Sequence, residues 1–568
     1  MAADEENQIP QQPATTAPNE CLSLDNTTHD AVQDQIQQHQ PAASSGLDPT
    51  IKKTDTRSTT PPRHTAFGPW EKKFIVFMAS LGSFISPLSS NIYYPALNTL
   101  AHDLHVTNSK INLSITTFMI FQAIAPTFIG GFSDNAGRRP AYMVGYIIYI
   151  VANIALALQS SYPALMVLRC LQSSGSSGMV ALAQGVIADV VTSAERGKYI
   201  GYTAIGSVLG PSLSPVVGGL LSQYLGWKSI FWFLAIFGGV LFLIFLAFLP
   251  ETCRKVVGDG SIPPPKYSYS LIYYWDEKKR KEAGEAIDYS QREALDRDNH
   301  IRFPNPIKTL VLIGEKDTAT LLLFGGVMYA GYYCVTTGMP SQLKETYGFN
   351  NIEIGLAFLP FSAGSTIAAF TNGRLLDWNY RRHAERLGIS MVKGQRQHNL
   401  SQFPIEKARI EIGAPLIFIG ALIIIAYGWV MDYETNLAGP LILLFLSGYT
   451  LIAGMTTLNI LLIDTHRQSP ATASAAFNLV RCLLGAGASA VVDPMLNAMG
   501  RGWTYTFVGL VWILFLPLLM ALVKWGPKWR AERSGEQEKK KAKEQEKREK
   551  EESSQIDGTE KRIEKGIQ

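Results

Sequence analysis

The residues best placed to do chemistry in this chain are charged groups set beside or inside oily segments. Asp134, Arg138 and Arg139 stand in the short stretch GGFSDNAGRRP, between two segments that are otherwise apolar. Two more arginines, Arg169 and Arg481, lie within apolar runs, each with an amide three positions away and so on the same helical face: Gln172 beside the first, Asn478 beside the second. A guanidinium keeps its charge in a protein, so at such places it must find carboxylates, carbonyls, water or phosphates. Ion pairs that form and break, and recognition of polar groups inside a membrane, are the chemistries these residues offer. The rival reading is structural: loop arginines can serve topology alone, and a buried arginine can satisfy carbonyls at a kink. There is no phosphate-cradling Gly-Lys-Ser/Thr, no paired metal ligands and no nucleophile elbow, so neither an enzyme nor an ATP-driven pump is expected, and no cofactor or metal. Cys21, Cys170, Cys253, Cys334 and Cys482 have no paired spacing, which argues against both a disulfide framework and a zinc site.

The elements that must position these groups are membrane spans. Of 568 residues, 47% are hydrophobic and 17% charged, against about 25% charged in an ordinary soluble domain. A bilayer core needs about 20 mainly apolar residues per helix. Segments of that kind fall at 73–97, 109–133, 140–159, 162–189, 199–222 and 229–249, then at 318–340, 353–376, 411–431, 437–463, 470–496 and 503–524. The reading is an all-α polytopic membrane protein, with twelve transmembrane helices in two pseudo-symmetric six-helix bundles. The divisions are a polar tail (1–70), a first bundle (71–250), a linker (251–316), a second bundle (317–525) and a charged tail (526–568). Both tails are too polar to offset their ordering entropy and are expected to be disordered. The start of the chain has no apolar run with a cleavage site, so no signal peptide is expected. The net charge of +4 reflects loop placement and not a nucleic-acid surface.

Basic residues in short loops set orientation. Lys72, Lys73, Arg138, Arg139, Arg196, Lys198, Arg381, Arg382 and Arg467 fall on one side, which is read as cytoplasmic and holds both termini. Within that side one pattern occurs twice. Gly130, Asp134, Arg138 and Arg139 follow the second span, and Gly373, Asp377, Arg381 and Arg382 follow the eighth at the same spacing. A repeat at corresponding loops indicates two related halves, as in many secondary transporters. Gly130 is expected to admit a neighbouring helix, Gly137 to permit a tight turn, and Asp134 to pair with an arginine or cap a helix start. Asp189, at the same end of the fourth span, is placed to meet Arg138 or Arg139 and complete a latch.

GGFSDNAGRR resembles the signature loop of the major facilitator superfamily, and the resemblance covers about 70–525. VLRCLQSSGSSG resembles that superfamily's Arg-x-x-Gln motif, with Arg169 and Gln172 in its positions, and GSVLGPSLSPVVGG resembles the drug:proton antiporter motif of the fifth span. SPLSSNIYYPAL, LPET and FNLVRCLLGAG look like fungal quinidine-resistance-type exporters of the twelve-span branch. The resemblance implies alternating access and proton coupling, with Arg169 tuning a nearby acid and Arg481 in a role it does not define. In the fifth span Gly206, Gly210, Ser214 and Gly218 stand four apart, with Pro211, Pro215 and Gly219 beside them, the pattern of a bent helix with a smooth face. Ser214 stands where the family often has glycine.

The first, fourth, seventh and tenth helices of this fold usually line the central cavity. Asn91, Tyr93, Tyr329, Tyr333 and Asn459 are therefore substrate-cavity candidates, joined by the polar residues Gln122 of the second span and Asn478 of the eleventh, although Tyr93 and Tyr94 also suit interfacial anchors. An aromatic, weakly polar pocket suits amphipathic or cationic molecules. One feature of the resemblance is missing: no span carries Asp or Glu in its hydrophobic middle. The expectation is a secondary active exporter of drugs, toxins or secondary metabolites, whose partners are that small molecule, protons and the lipid bilayer, with no obligate protein partner. Its expected home is the plasma membrane, the vacuolar membrane being the alternative. Sugar-porter-type uptake and a non-transporting receptor are the rival functions. Single cysteines at 134 and 377, in a chain cleared of native cysteines, are expected to react with an impermeant maleimide from the same side. Labelling from opposite sides would overturn the two-half reading.

Overall fold

The computed structural model describes residues 65–191, 196–283, 307–388, 403–466 and 470–567, so the tail up to residue 64 and the linker from 284 to 306 lie outside it. Every described regular element is a helix. Nine stretches among the described residues are long and apolar enough to cross a membrane. The last of them, Thr472–Arg533, is 62 residues long, about 93 Å of helix. Gly500 breaks it with φ 79°, so it supplies two spans. Tyr162–Val190 and Arg196–Leu225 are helices of 29 and 30 residues and complete the set of twelve. The former is less apolar because it buries Arg169, Gln172, Ser173, Ser176 and Ser177 within the bundle.

In chain order the spans are Pro69–Asn91, Asn108–Ala136, Arg138–Leu158, Tyr162–Val190, Arg196–Leu225 and Lys228–Phe248. Then come Lys316–Tyr347, Asn351–Arg386, Ile405–Asp432, Ala438–Thr465 and the two parts of Pro470–Ile567 on either side of Gly500. Their starts follow side-chain chemistry. The Thr107 hydroxyl accepts the Lys110 N–H at 3.4 Å to open the second span. Asn350 and Glu353 exchange bonds of 3.0 and 2.8 Å to open the eighth.

Span one packs on five, two on four, and three on four and six; in the second half seven packs on eleven, eight on ten, and nine on ten and twelve. Each pairing in one half thus has its counterpart in the other. The halves meet where span five lies on eight and span two on eleven. We call the end that carries Asp134 the motif end. Hydrogen bonds between the halves run from the opposite, far end to mid-depth. Asn98 Nδ2 donates to the Pro340 carbonyl at 2.9 Å and Asn351 Nδ2 to Thr99 at 3.0 Å. Ser109 bonds Asp493, and Thr116 meets Ser489 at 2.8 Å. Among the described residues the deepest toward the motif end are Asn478 Nδ2 to the Gln122 carbonyl, 3.2 Å, and Ser362 to the Pro211 carbonyl, 3.4 Å.

Span five presents two smooth faces. A Cβ on Gly210 would lie 2.7 Å from Pro87 Cβ, and one on Gly218 would overlap the Ile92 carbonyl, so this face, with buried Ser214, packs on span one of its own half. The Pro215 and Gly219 face packs on span eight, where a Cβ on Gly355 would lie 2.5 Å from the Pro215 carbonyl. The surroundings of Gly206 lie outside the described residues.

One expectation is corrected. The charged tail is helical to Ile567. Its sequence RAERSGEQEKKKAKEQEKREKEE is rich in helix formers and sets opposite charges four apart, each such pair being worth roughly 0.3 kcal/mol. The linker carries regular structure of its own. Helices Arg254–Val257 and Leu271–Glu282 and the turn Lys266–Ser268 belong to it, and Glu251, Cys253, Val256, Val257 and Ser268 are buried. The far-end seam predicts that S109C/D493C forms a disulfide on oxidation and arrests transport until it is reduced. Unimpaired flux in the cross-linked protein would show that the seam does not open.

Candidate functional site

At the motif end the second span stops at Ala136, and Gly137, at φ 112°, turns the chain into the third. The new helix begins against a buried carboxylate. Glu251 is 4% exposed and accepts the N–H groups of Arg138 (2.8 Å), Arg139 (3.2 Å), Thr252 and Cys253 (both 2.9 Å) and the Ser268 hydroxyl (2.9 Å). A helix start carries partial positive charge and unmatched N–H groups, so an anion there is stabilising. A Cβ at position 137 would overlap that carboxylate, so glycine is required for its room as well as its φ.

The arginine side chains then point apart. Arg138 Nε donates to Asp189 at 2.8 Å, and its Nη1 to Asp134 at 2.5 Å and Ser133 at 2.7 Å. Arg139, buried, donates to the Leu246 carbonyl at 2.6 Å. The expected latch of Asp134, Arg138 and Asp189 is thus assembled, but it ties spans two, three, four and six of one half to each other. Gly130 has no close neighbour for a Cβ, contrary to its expected role, and nor does Gly373.

The repeat is imperfect in space. Tyr380 occupies the place of Gly137, the eighth helix continues to Arg386, and Arg381 and Arg382 stay on it, the first exposed and the second over the Trp378 ring at 5.6 Å. Arg409, near the start of span nine, takes the part of Arg138. It reaches Asp464 at 3.0 Å, the Leu376 carbonyl at 3.2 Å and Asp377 at 3.9 Å. Beside it the last helix is clamped. Arg533 meets Glu315 at 3.0 Å and both Asp317 and His466 at 2.7 Å, while His466 also meets Glu315 at 3.1 Å. Burial pushes the Glu315 carboxyl up, but hydrogen bonds from His466 and Arg533 outweigh it and hold the group below the usual range.

In the far-end part of span four Arg169 is 1% exposed and lies between the rings of Tyr93 and Phe118, each 4.4 Å away. Its Nη1 donates to Gln172 at 2.6 Å, Gln172 donates to Asn153 at 2.7 Å, and its buried Nε and Nη2 have no partner among the described residues. Tyr93 is fully buried, with its hydroxyl 3.0 Å from Ser114, which corrects the anchor reading and makes it a wall of the arginine's niche. Across the seam Arg481, half-buried, donates to Asn478 at 3.0 Å and lies over the Tyr329 ring at 5.0 Å. Tyr329, Tyr332 and Tyr333 form a cluster with centroids 5.0 to 5.6 Å apart, and the Tyr332 hydroxyl reaches Asn91 at 3.5 Å. Gln122 and Asn478 join this region, and Asn459 stands half-buried on span ten.

A model of the Major Facilitator Superfamily matches residues 79–490. The chain belongs to that superfamily. The MFS-type transporter phiD of a fungal species is 48% identical over 471 residues, covering 83% of this chain and 71% of that protein. The MFS-type transporter tstD of Talaromyces stipitatus is 42% identical, covering 83% and 85%. Citrate exporter 1 of Aspergillus niger is 35% identical, covering 86% and 92%. In fold the chain is similar to the human organic anion transporter MFSD10, with TM-score 0.52 at 14% identity, over 80% of this chain and all of that one. The chain is therefore a polytopic transporter of the superfamily.

Sequence reasoning singled out Arg138, Arg169, Arg481 and the tyrosines but missed Glu251 and Arg409. Both left a signal: a lone acid directly after span six, and a basic residue opening span nine opposite Asp464. Glu251→Gln keeps the size and removes the charge. It is expected to lower stability by about 2 kcal/mol, read as a lowered melting temperature of the purified protein; an unchanged value would show that the carboxylate does not hold the turn.

Proposed function

We propose that the protein exports small organic compounds, such as drugs, toxins or secondary metabolites, in exchange for protons, as the drug:proton antiporter branch of the superfamily does. The observation that carries this reading is the distribution of contacts. Among the described residues the two halves are hydrogen-bonded to each other from the far end to mid-depth, while the motif-end ion pairs Arg138–Asp189 and Arg409–Asp464 lie inside single halves. That is the pattern of a transporter whose central site is reached from the motif end. With the basic loops setting the motif end on the cytoplasmic side, the site loads from the cytosol. The printed names of the relatives, fungal transporters and an exporter of citrate, favour the outward direction. We place the protein in the plasma membrane with both termini inside.

Coupling falls to the motif end, because the spans lack a carboxylate at mid-depth. Protonating Asp189 or Asp134 removes a negative charge that faces Arg138, and that loosens the brace on span four. In inside-out vesicles, accumulation of labelled compounds from a panel of drugs and organic acids is expected to require an acidic lumen and to be slowed by Asp189→Asn. Accumulation that survives collapse of the proton gradient would overturn the coupling, and accumulation seen only in right-side-out vesicles would favour uptake.

A further inference from the structure

We infer that the mid-depth site takes an organic anion: a carboxylate seated on Arg481, carried by an apolar or aromatic body that lies against Tyr329, Tyr332 and Tyr333. The inference rests on the reading of that site as the substrate site and names the substrate's class.

Its ground is a charge that the protein leaves unbalanced. Arg481 brings a permanent positive charge to mid-depth from the second half, and Arg169 brings another to the far-end part of span four in the first. The partners the structure gives them are neutral: the amide oxygens of Gln172 and Asn478 and the faces of Tyr93, Phe118 and Tyr329. The acids of the spans stand toward the ends, among them Asp134, Asp189, Asp377, Glu411, Asp464 and Asp493. Arg169 is enclosed, with Nε and Nη2 unpartnered, so its field acts on whatever occupies the seam. Arg481 is half-buried and beside the point where Asn478 crosses to Gln122, which makes it the contact.

The same geometry disfavours a cation. Aromatic faces attract cations, and the tyrosine cluster invited that reading from sequence. The ring faces nearest the arginines are taken by the protein's own guanidiniums, and a cationic substrate would meet two like charges with no carboxylate to offset them. An anion meets the reverse, and a membrane potential that is negative inside also drives it outward.

The test compares three probes of one shape, 2-naphthoate, 2-naphthamide and 2-naphthylmethylammonium, with citrate as a carboxylate without a ring, on the purified full-length protein. Naphthoate is expected to bind at least tenfold more tightly than the amide or the ammonium. Arg481→Gln should lose at least tenfold of that affinity and Arg481→Lys should recover part of it, both variants being checked for monodispersity. Equal binding of the amide or the ammonium, unchanged naphthoate binding by Arg481→Gln, or no binding of either carboxylate would overturn the inference. Vesicle flux separates the two readings. Naphthoate that binds without crossing overturns transport at this site and spares the anion preference, whereas proton-driven flux of the ammonium spares transport and overturns the preference.

Discussion

A full charge in hydrocarbon costs several kcal/mol even where water and lipid can relax around it, and the structure is arranged around that constraint. Carboxylates and most basic groups are pushed to the ends of the spans, where they pair. Asp134 and Asp189 meet Arg138, Asp464 meets Arg409, and Glu315 and Asp317 meet Arg533. The two arginines kept inside the spans are wrapped in amides and aromatic faces, which lower the cost without cancelling the charge. Span four is less apolar than span six for this reason: its serines and glycines let it sit inside, next to the group it carries.

Glu251 shows how one charge organises a whole corner. The carboxylate gathers N–H groups from the start of span three and from the chain that leaves span six, so it closes the first bundle between its third and sixth helices. Gly137 is the other half of the same device, because any side chain there would displace the anion. The second half lacks a glycine at the matching place and builds its corner from Arg409, reaching back to the Leu376 carbonyl. The halves therefore share packing and differ in how they turn the chain.

That difference marks the limit of what the sequence made legible. Twelve spans, the two-half packing and the latch of Asp134, Arg138 and Asp189 were readable, because hydrophobic length and the end-on placement of charges are local properties. Arg381 and Arg382 were misplaced, since equal spacing along the chain assumes an equal helix break, and only the first half has the residue that breaks it. Gly130 was misread because nothing in a sequence says which glycine faces a neighbour. Glu251 stayed hidden because four of its five partners are backbone N–H groups, which leave no mark in residue types, so that the lone acid after span six was its only trace. The helical tail was missed by weighing its charge as a cost of ordering, when opposite charges four apart favour a helix that needs no core.

The placement of ion pairs also decides what can move. Arg138 with Asp189, Arg409 with Asp464 and Arg533 with Glu315 each join helices of one half, and the face of span five that carries Gly210 and Gly218 holds it to span one. Each half is thereby braced as a body. The seam between them is made of different material: Pro215 and Gly219 against Asn351 and Gly355, a bond from Ser109 to the Asp493 carboxylate at the far end, and neutral hydrogen bonds among Thr116, Ser489, Gln122 and Asn478. Neutral hydrogen bonds between membrane helices are worth about 0.6 kcal/mol each, far less than it costs to strand a charge by breaking a buried pair. Smooth backbone contacts also slide without unthreading side chains. A force that rocks the molecule will part the seam before it disturbs either brace, so motion is confined to the surface where Arg481 waits for its counter-charge.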